Sequence, residues 1–317
     1  MCEGRGTQPK PLLTVEQQIA HLKSKGVTFA LCSEEGAAAY LTDRTYFYKL
    51  YAYRNLFERR VGGARDGEYV GLDFGHLRAL ASLDRTLRYT LLPMTLDVEH
   101  FARVKLVREA TQREGDGYSI VSDYMASLNH AERRRREGEV RALEQDAYCG
   151  ALVGKYHLPG QMPLWVFLEL VSFGTFISLY LFCAERWGND DMRHEHYMLR
   201  LSKSARNAFA HSSNVINGFA ESDGTLAPDN AVRHALAEAG ISRRVRSSKM
   251  RNPRLRQIVT LLYLHCRIVP AGTSRRRAQE GAARLISEVD TLLEMLQGND
   301  AVRSAFMFLR VLLDRWF

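Results

Sequence analysis

Apolar positions recur at three- and four-residue steps along nearly the whole chain, and strict alternation is almost absent, so the pattern predicts an all-α protein. The first helix is expected over 13–26. Thr14 with Gln17 three residues on has the spacing of a capping box, and Gly26 suits a left-handed stop. Further helices are expected over 37–57, dense in tyrosine, and over 74–110 as one long helix or two joined ones. Breaks fall at the glycine-rich 62–68 and at 115–118. A charged helical stretch covers 122–153, and the LPGQMP turn at 158–163 follows it. The next helix is expected over 191–217, and 218–230 (GFAESDGTLAPDN) reads as the clearest loop. Helices around 231–239, 255–268, 276–296 and 301–316 complete the pattern.

One segment calls for a membrane test. Residues 162–184 are long enough to span a bilayer and carry a single charge, Glu169. Yet Glu169, Ser172, Thr175 and Ser178 recur at three-residue steps and draw a polar line along one side, while Pro163 suits a first helical turn. One fully buried helix of a bundle is therefore expected, in preference to a membrane span.

Composition narrows the class. With 317 residues, 46% hydrophobic and 25% charged, the chain can bury a proper core and is not globally disordered. Its charge is unusual: 44 Lys and Arg against 36 acidic residues give +8 and a pI near 9.3. Such a surplus favours a polyanionic partner, nucleic acid or an anionic membrane surface. Cys2, Cys32, Cys149, Cys183 and Cys266 are odd in number and lack a CxxC pair. That pattern argues against a disulfide framework and a zinc knuckle and suits a reducing cytoplasm. No apolar run near the N-terminus suggests a signal peptide.

Candidate chemistry concentrates in Arg206-Asn207-Ala208-Phe209-Ala210-His211, expected in mid-helix. At roughly 100° per residue, Asn207 and His211 lie about 100° and 140° from Arg206, with Arg200 and Ser204 close by. Tyr197, Met198, Leu201, Ala205, Ala208, Phe209, Val215 and Ile216 fall on the opposite, core-facing arc. Cleaving RNA without a metal requires a proton acceptor for the 2′-OH, a proton donor for the 5′-oxygen and a cation for the crowded phosphorus. Histidine titrates near neutrality and suits the proton steps, and arginine's fixed fork suits the phosphate. Asn207, four residues before His211, is expected to orient the ring. By itself the motif is short, and Arg and His on a wet helix face are common.

Other clusters carry less. Residues 243–256 hold seven basic residues in fourteen and no acidic one: Arg243, Arg244, Arg246, Lys249, Arg251, Arg254 and Arg256. An uninterrupted single sign favours contact with an RNA backbone, with 275–277 as an extension. Arg133 to Arg136 are interleaved with Glu132, Glu137 and Glu139 and are expected to self-pair. Tyr46, Phe47, Tyr48, Tyr51 and Tyr53 could stack on bases, but core packing is the stronger reading. His194-Glu195-His196 has an i, i+2 spacing that splays the rings, so neither a metal nor any other cofactor is expected. Asp84, Arg85, Arg88, Asp97 and Glu99 are expected to form helix-surface or inter-helix salt bridges.

The order of four blocks gives the chain a family likeness: KPLLTVEQQIAHLKSKGV (10–27) with AAAYLTDRTYFYKLYAYRNLF (37–57), FGHLRALASLDRTLRYTLLPMTLDVEHFARVKL (74–106), MPLWVFLELVSFGTFISLY (162–180) and RNAFAHSSNVIN (206–217). The chain resembles the abortive-infection (Abi) family of bacterial phage-defence proteins, within the HEPN ribonuclease superfamily. The resemblance implies a HEPN-type helical bundle with additional N- and C-terminal helices, and matches Arg206, Asn207 and His211 to the RNxxxH nuclease motif. Where such relatives usually carry an arginine three residues after the histidine, this chain has Asn214. The expected organisation is a flexible 1–9 and a single helical domain over 10–317: an N-terminal half over 10–120, a core with the motif over 121–217 and basic C-terminal helices over 218–317. The resemblance implies an endoribonuclease toxin of an abortive-infection or toxin–antitoxin system, of a kind that a small RNA antitoxin restrains in some relatives. The chemistry of the residues adds a metal-independent step and, because one histidine would have to accept and donate a proton, a homodimer. Arg200, Ser204 and the basic residues of 243–256 are the expected RNA contacts. A catalytically silent RNA-binding scaffold and a membrane-active toxin acting through 162–184 are the alternatives.

Overall fold

The expected capping box forms: Thr14 Oγ1 accepts from the Gln17 amide and Gln17 Oε1 accepts from the Thr14 amide, at 3.3 and 2.9 Å. Gly26 ends the turn at φ +75°, where a Cβ would also lie 2.9 Å from the side chain of Glu68. The computed structural model describes residues 11–219, 229–296 and 300–317. Most of the loop expected over 218–230, and the tail 1–9, lie outside the described residues.

Among the described residues there are fifteen α-helices and no strand, besides isolated bridges between Thr28 and Asp73 and between Arg59 and Tyr69. The protein is all-α. The helices are α1 (Val15–Ser24), α2 (Glu34–Asp43), α3 (Phe47–Tyr51), α4 (Phe74–Arg113), α5 (Ser119–Ser127), α6 (His130–Arg141), α7 (Gly150–Tyr156), α8 (Leu164–Leu170), α9 (Phe173–Arg186) and α10 (Asp190–Ala210). They continue as α11 (Asn230–Glu238), α12 (Arg243–Lys249), α13 (Pro253–Ile268), α14 (Thr273–Met295) and α15 (Asp300–Trp316).

Packing divides the chain into two units, neither continuous in sequence. Among the described residues the first comprises 11–87, 214–219, 287–296 and 300–307, the second 88–213, 229–286 and 308–317. The 40-residue α4, which keeps its helix through Pro93, passes from one to the other. In the first unit, Asp73 is buried and receives the Thr28 hydroxyl and the Ala30 and Gly75 amides at 2.7–2.8 Å. In the second, α10 packs between α9 and α13.

Three sequence expectations change here. The single tyrosine-rich helix over 37–57 is broken into α2, α3 and a 3-10 turn, Ala52–Leu56. Its aromatics divide as well: Tyr53 is buried, whereas Tyr46 and Tyr48 are exposed. The charged stretch over 122–153 is three helices, and Arg133 does not self-pair there: it donates to the Met125 and Ala126 carbonyls that end α5.

The apolar 162–184 is not one helix. It breaks at Val171 and Ser172 because two charges satisfy the freed backbone groups there. Arg103 donates to the Leu168 and Val171 carbonyls at the end of α8. Glu139 accepts from the Ser172 amide and the Thr175 hydroxyl at the start of α9, each at 2.6 Å. Among the described residues no helix is long and apolar enough to cross a membrane.

Candidate active site on helix α10

Helix α10 begins at Asn189, whose side chain accepts from the Met192 amide at 3.1 Å, and runs 21 residues to Ala210. Glu195, Met198, Leu199, Ser202, Ala205 and Phe209 form its buried face. Tyr197, expected in the core, is 54% exposed. His211 is not in mid-helix but at the C-cap, because the helix stops one residue before it.

Local geometry explains the stop. Ser212 adopts φ +54°, a left-handed conformation that costs a non-glycine residue energy. The Ser212 amide donates to the Phe209 carbonyl and the Ser213 amide to the Ala208 carbonyl, at 3.1 and 2.9 Å. These two bonds are a Schellman motif formed on serine, and they satisfy carbonyls that the helix end would otherwise leave open. The buried Arg88 then donates to the Ser213 carbonyl at 3.2 Å. The side chain of His211 is left exposed at a fixed helix end.

Arg206 and Asn207 are half-buried in the turn before it. The Arg206 guanidinium donates to Asn207 Oδ1 at 3.3 Å, and the Asn207 carbonyl accepts the His211 amide at 3.0 Å. Asn207 therefore holds the arginine with its side chain and the histidine with its backbone. Spacing alone suggested a side-chain contact with the imidazole; here Oδ1 accepts from Arg206 instead.

The neighbouring face of α10 lines an open cleft of about 870 Å³. His196, Tyr197, Arg200, Lys203, Ser204 and Asn207 contribute from α10, and Gly174, Ile177, Ser178 and Leu181 from α9. Met198 and Leu201 of α10, Arg256 and Thr260 on α13, and Asp229 complete the lining. Arg200, Ser204 and Asn207 thus share one face, as their helical spacing predicts, and Arg256 joins them from α13, which the sequence pattern did not foresee. Lys203 and His196 were missed, although both lie on the same i, i+3, i+4 stripe as Arg200 and Asn207. Gly174 gives Lys203 its space: a Cβ there would come within 2.7 Å of Nζ.

The rest of the basic segment does not form one surface. Arg243, Arg244 and Arg251 are exposed. Arg246 donates to the Ile241 carbonyl at 2.7 Å. Burial pulls the Lys249 ammonium below its usual range, Arg254 is half-buried, and Arg256 is buried. Arg275, in the proposed extension, donates to the His265 carbonyl.

Sequence reasoning also missed the buried polar groups. Glu195 takes two bonds from Lys105, at 2.7 and 2.8 Å, and one from the Tyr180 hydroxyl at 2.6 Å, which makes it a structural anchor. His196 is buried against the Ile177 carbonyl, 3.1 Å from Nδ1. Asp84 is not on a helix surface. It is fully buried in the first unit, with Oδ1 accepting from the Val215 and Ile216 amides at 2.9 Å and Oδ2 from the Tyr53 hydroxyl at 2.9 Å. In the same unit Asn214 donates to the Lys49 carbonyl at 3.0 Å, so its amide is spent on structure. Among the described residues no group of three or more His, Cys, Asp or Glu is assembled that could hold a metal ion.

The last turn of α10 thus sets an Arg-Asn pair and an exposed histidine beside a cleft that Arg200, Lys203 and Arg256 line. A family model described as Abi-like protein matches residues 39–217, more than half of the chain, and the chain belongs to that family. The match contains all of α10 and ends six residues after His211. No curated protein and no solved structure matches the chain.

Proposed function

We propose that the chain is a HEPN-type endoribonuclease of abortive-infection phage defence. The observation that carries this reading is the last turn of α10, where Arg206 is tied to Asn207 and His211 stands exposed at a rigid helix end beside the cationic cleft. Membership of the Abi-like family supports the biological setting.

In this mechanism the substrate's 2′-oxygen attacks the adjacent phosphorus as its proton passes to an imidazole. The bond to the 5′-oxygen breaks, and that oxygen takes a proton from an imidazolium. The products are a 2′,3′-cyclic phosphate and a 5′-OH. Arg206 neutralises charge that builds on the phosphorus oxygens, where a planar, permanently charged donor fork is effective. Because the nucleophile belongs to the RNA, the chemical step asks no metal of the protein.

One ring would have to accept and donate in turn, whereas two copies of His211 from a two-fold homodimer divide the work. A small structured RNA that covers this site is the proposed restraint, with the exposed Arg243, Arg244 and Arg251 as backbone contacts. The test is expression in a bacterial host: the wild-type chain arrests growth and His211→Ala relieves the arrest at equal protein level. Equal toxicity of the folded variant overturns the reading and favours a silent RNA-binding scaffold.

A further inference from the structure

The cleft beside α10 extends well past the motif. From Asn207 to His196 is eleven residues, roughly 16 Å of helix. Among the described residues that line it, Arg200, Lys203 and Arg256 are cationic and Asp229 is acidic, the last already accepting the Ala231 amide at 2.7 Å as the N-cap of α11. Hydroxyls of Ser178, Ser204 and Thr260 belong to the lining, and Tyr197 offers an exposed ring.

His196 adds a directional feature. The Ile177 carbonyl can only accept, so Nδ1 carries the ring proton and Nε2 is left as a lone-pair acceptor. Burial holds this imidazole below its usual range, which keeps it an acceptor near neutral pH. The cleft therefore offers cations for phosphates, a ring for a base and a neutral acceptor for a hydroxyl or amine. An unstacked strand presents all three groups, whereas a duplex hides its base faces.

We infer that this cleft is a groove for single-stranded RNA, holding the nucleotides next to the cut with phosphates on Arg200 and Lys203, a base on Tyr197 and a donor group on His196. The inference rests on the RNA reading of the motif and adds the form of the substrate and the path it follows. Arg256 closes the far wall from α13, beyond the family match. The groove is therefore built from the matched region together with a helix outside it.

The test measures binding of a fluorescent twelve-nucleotide single-stranded RNA to the full chain carrying His211→Ala, so that the probe survives. Arg200→Gln with Lys203→Gln should weaken binding tenfold or more and flatten the log–log salt dependence by about 1.4, two phosphate contacts at about 0.7 each. Tyr197→Ala should weaken binding about fivefold or more. Arg200 and Tyr197 are exposed, so the thermal midpoint should hold. If Lys203→Gln unsettles the fold, Arg200→Gln alone should flatten the slope by about 0.7. Two results overturn the groove: parent affinity and slope in the double variant, or displacement of the RNA by equal concentrations of a mononucleotide or of duplex RNA. The two readings fail separately. A wild-type chain that cuts no RNA while the cleft variants lose affinity removes the chemistry and keeps the groove. Cleavage that depends on His211 while the double variant binds normally removes the groove and keeps the chemistry.

Discussion

Two cationic stretches lie in the same unit of this chain and fold differently. Arg200, Lys203 and Arg206 sit at three-residue steps on one continuous helix, and two of them line the cleft. Residues 243–256 carry more charge, but the chain turns at Met250, Arg251 and Asn252 between α12 and α13. Its side chains separate accordingly: Arg246 onto the Ile241 carbonyl, Lys249 into partial burial, Arg256 into the cleft. Charge density along a sequence becomes a surface only where one element carries it. Spacing on a helix is the more reliable guide to what meets in space.

The comparison breaks most sharply in cleavage. His211→Ala and Arg206→Ala should each lower the rate about a hundredfold or more, while circular dichroism stays that of the parent. Asn207→Ala should cost roughly tenfold, because its amide positions Arg206. In the double variant Arg206→Ala/Asn207→Ala the losses should not add, since one acts through the other. Additive losses on a labelled RNA gel would mean that Asn207 has an independent task.

A buried site extends the same lesson. Asp84→Ala should destabilise the chain by about 2 kcal/mol or more, because it leaves two buried backbone amides and a hydroxyl without the acceptor they share. Chemical denaturation reads this directly, and an unchanged midpoint would show that these bonds are replaceable. Nothing in the sequence signalled this role. Asp84 lies on an amphipathic helix where a surface ion pair is the ordinary expectation, and its partners are 131 and 132 residues away. By contrast, the Thr14–Gln17 cap, the 74–113 helix, the all-α class and the shared face of Arg200, Ser204 and Asn207 were legible, because each is a local pattern. The break in 162–184 was not legible, since Arg103 and Glu139 make it from other helices. Nor was the end of α10, where serine takes the left-handed position that glycine would have announced.

The weaker arm of the comparison is tested by the exposed trio. Replacing Arg243, Arg244 and Arg251 together by Gln should flatten the salt dependence for a long structured RNA by no more than about 2. Cleavage of a short single-stranded substrate should stay within about twofold, because the trio lies outside the residues that line the cleft. A loss as large as that of Arg206→Ala would return 243–256 to the centre of the site.

The smallest effect is on pH. Burial holds His196 and His265 below their usual range, in His265 despite Asp97 at 3.4 Å, and burial does the same to His21 and His76. The unfolded chain takes up these protons first, near pH 6.5, so stability present above that value is lost as pH falls below it. The thermal midpoint should decline between pH 7 and pH 5.5, and His265→Gln should flatten the decline. A midpoint that rises on acidification would contradict the assignment of these rings as neutral.

The central claim concerns the chemistry of the last turn of α10, and the ends of the cut RNA test it most directly. Purified wild-type chain, incubated with RNA in EDTA, should leave 2′,3′-cyclic phosphate and 5′-OH ends. A 2′-deoxy substitution at the cut should block the reaction, and His211→Ala should produce no such ends. Products with a 3′-OH, cutting that survives the 2′-deoxy substitution, or equal cleavage by His211→Ala would contradict the account.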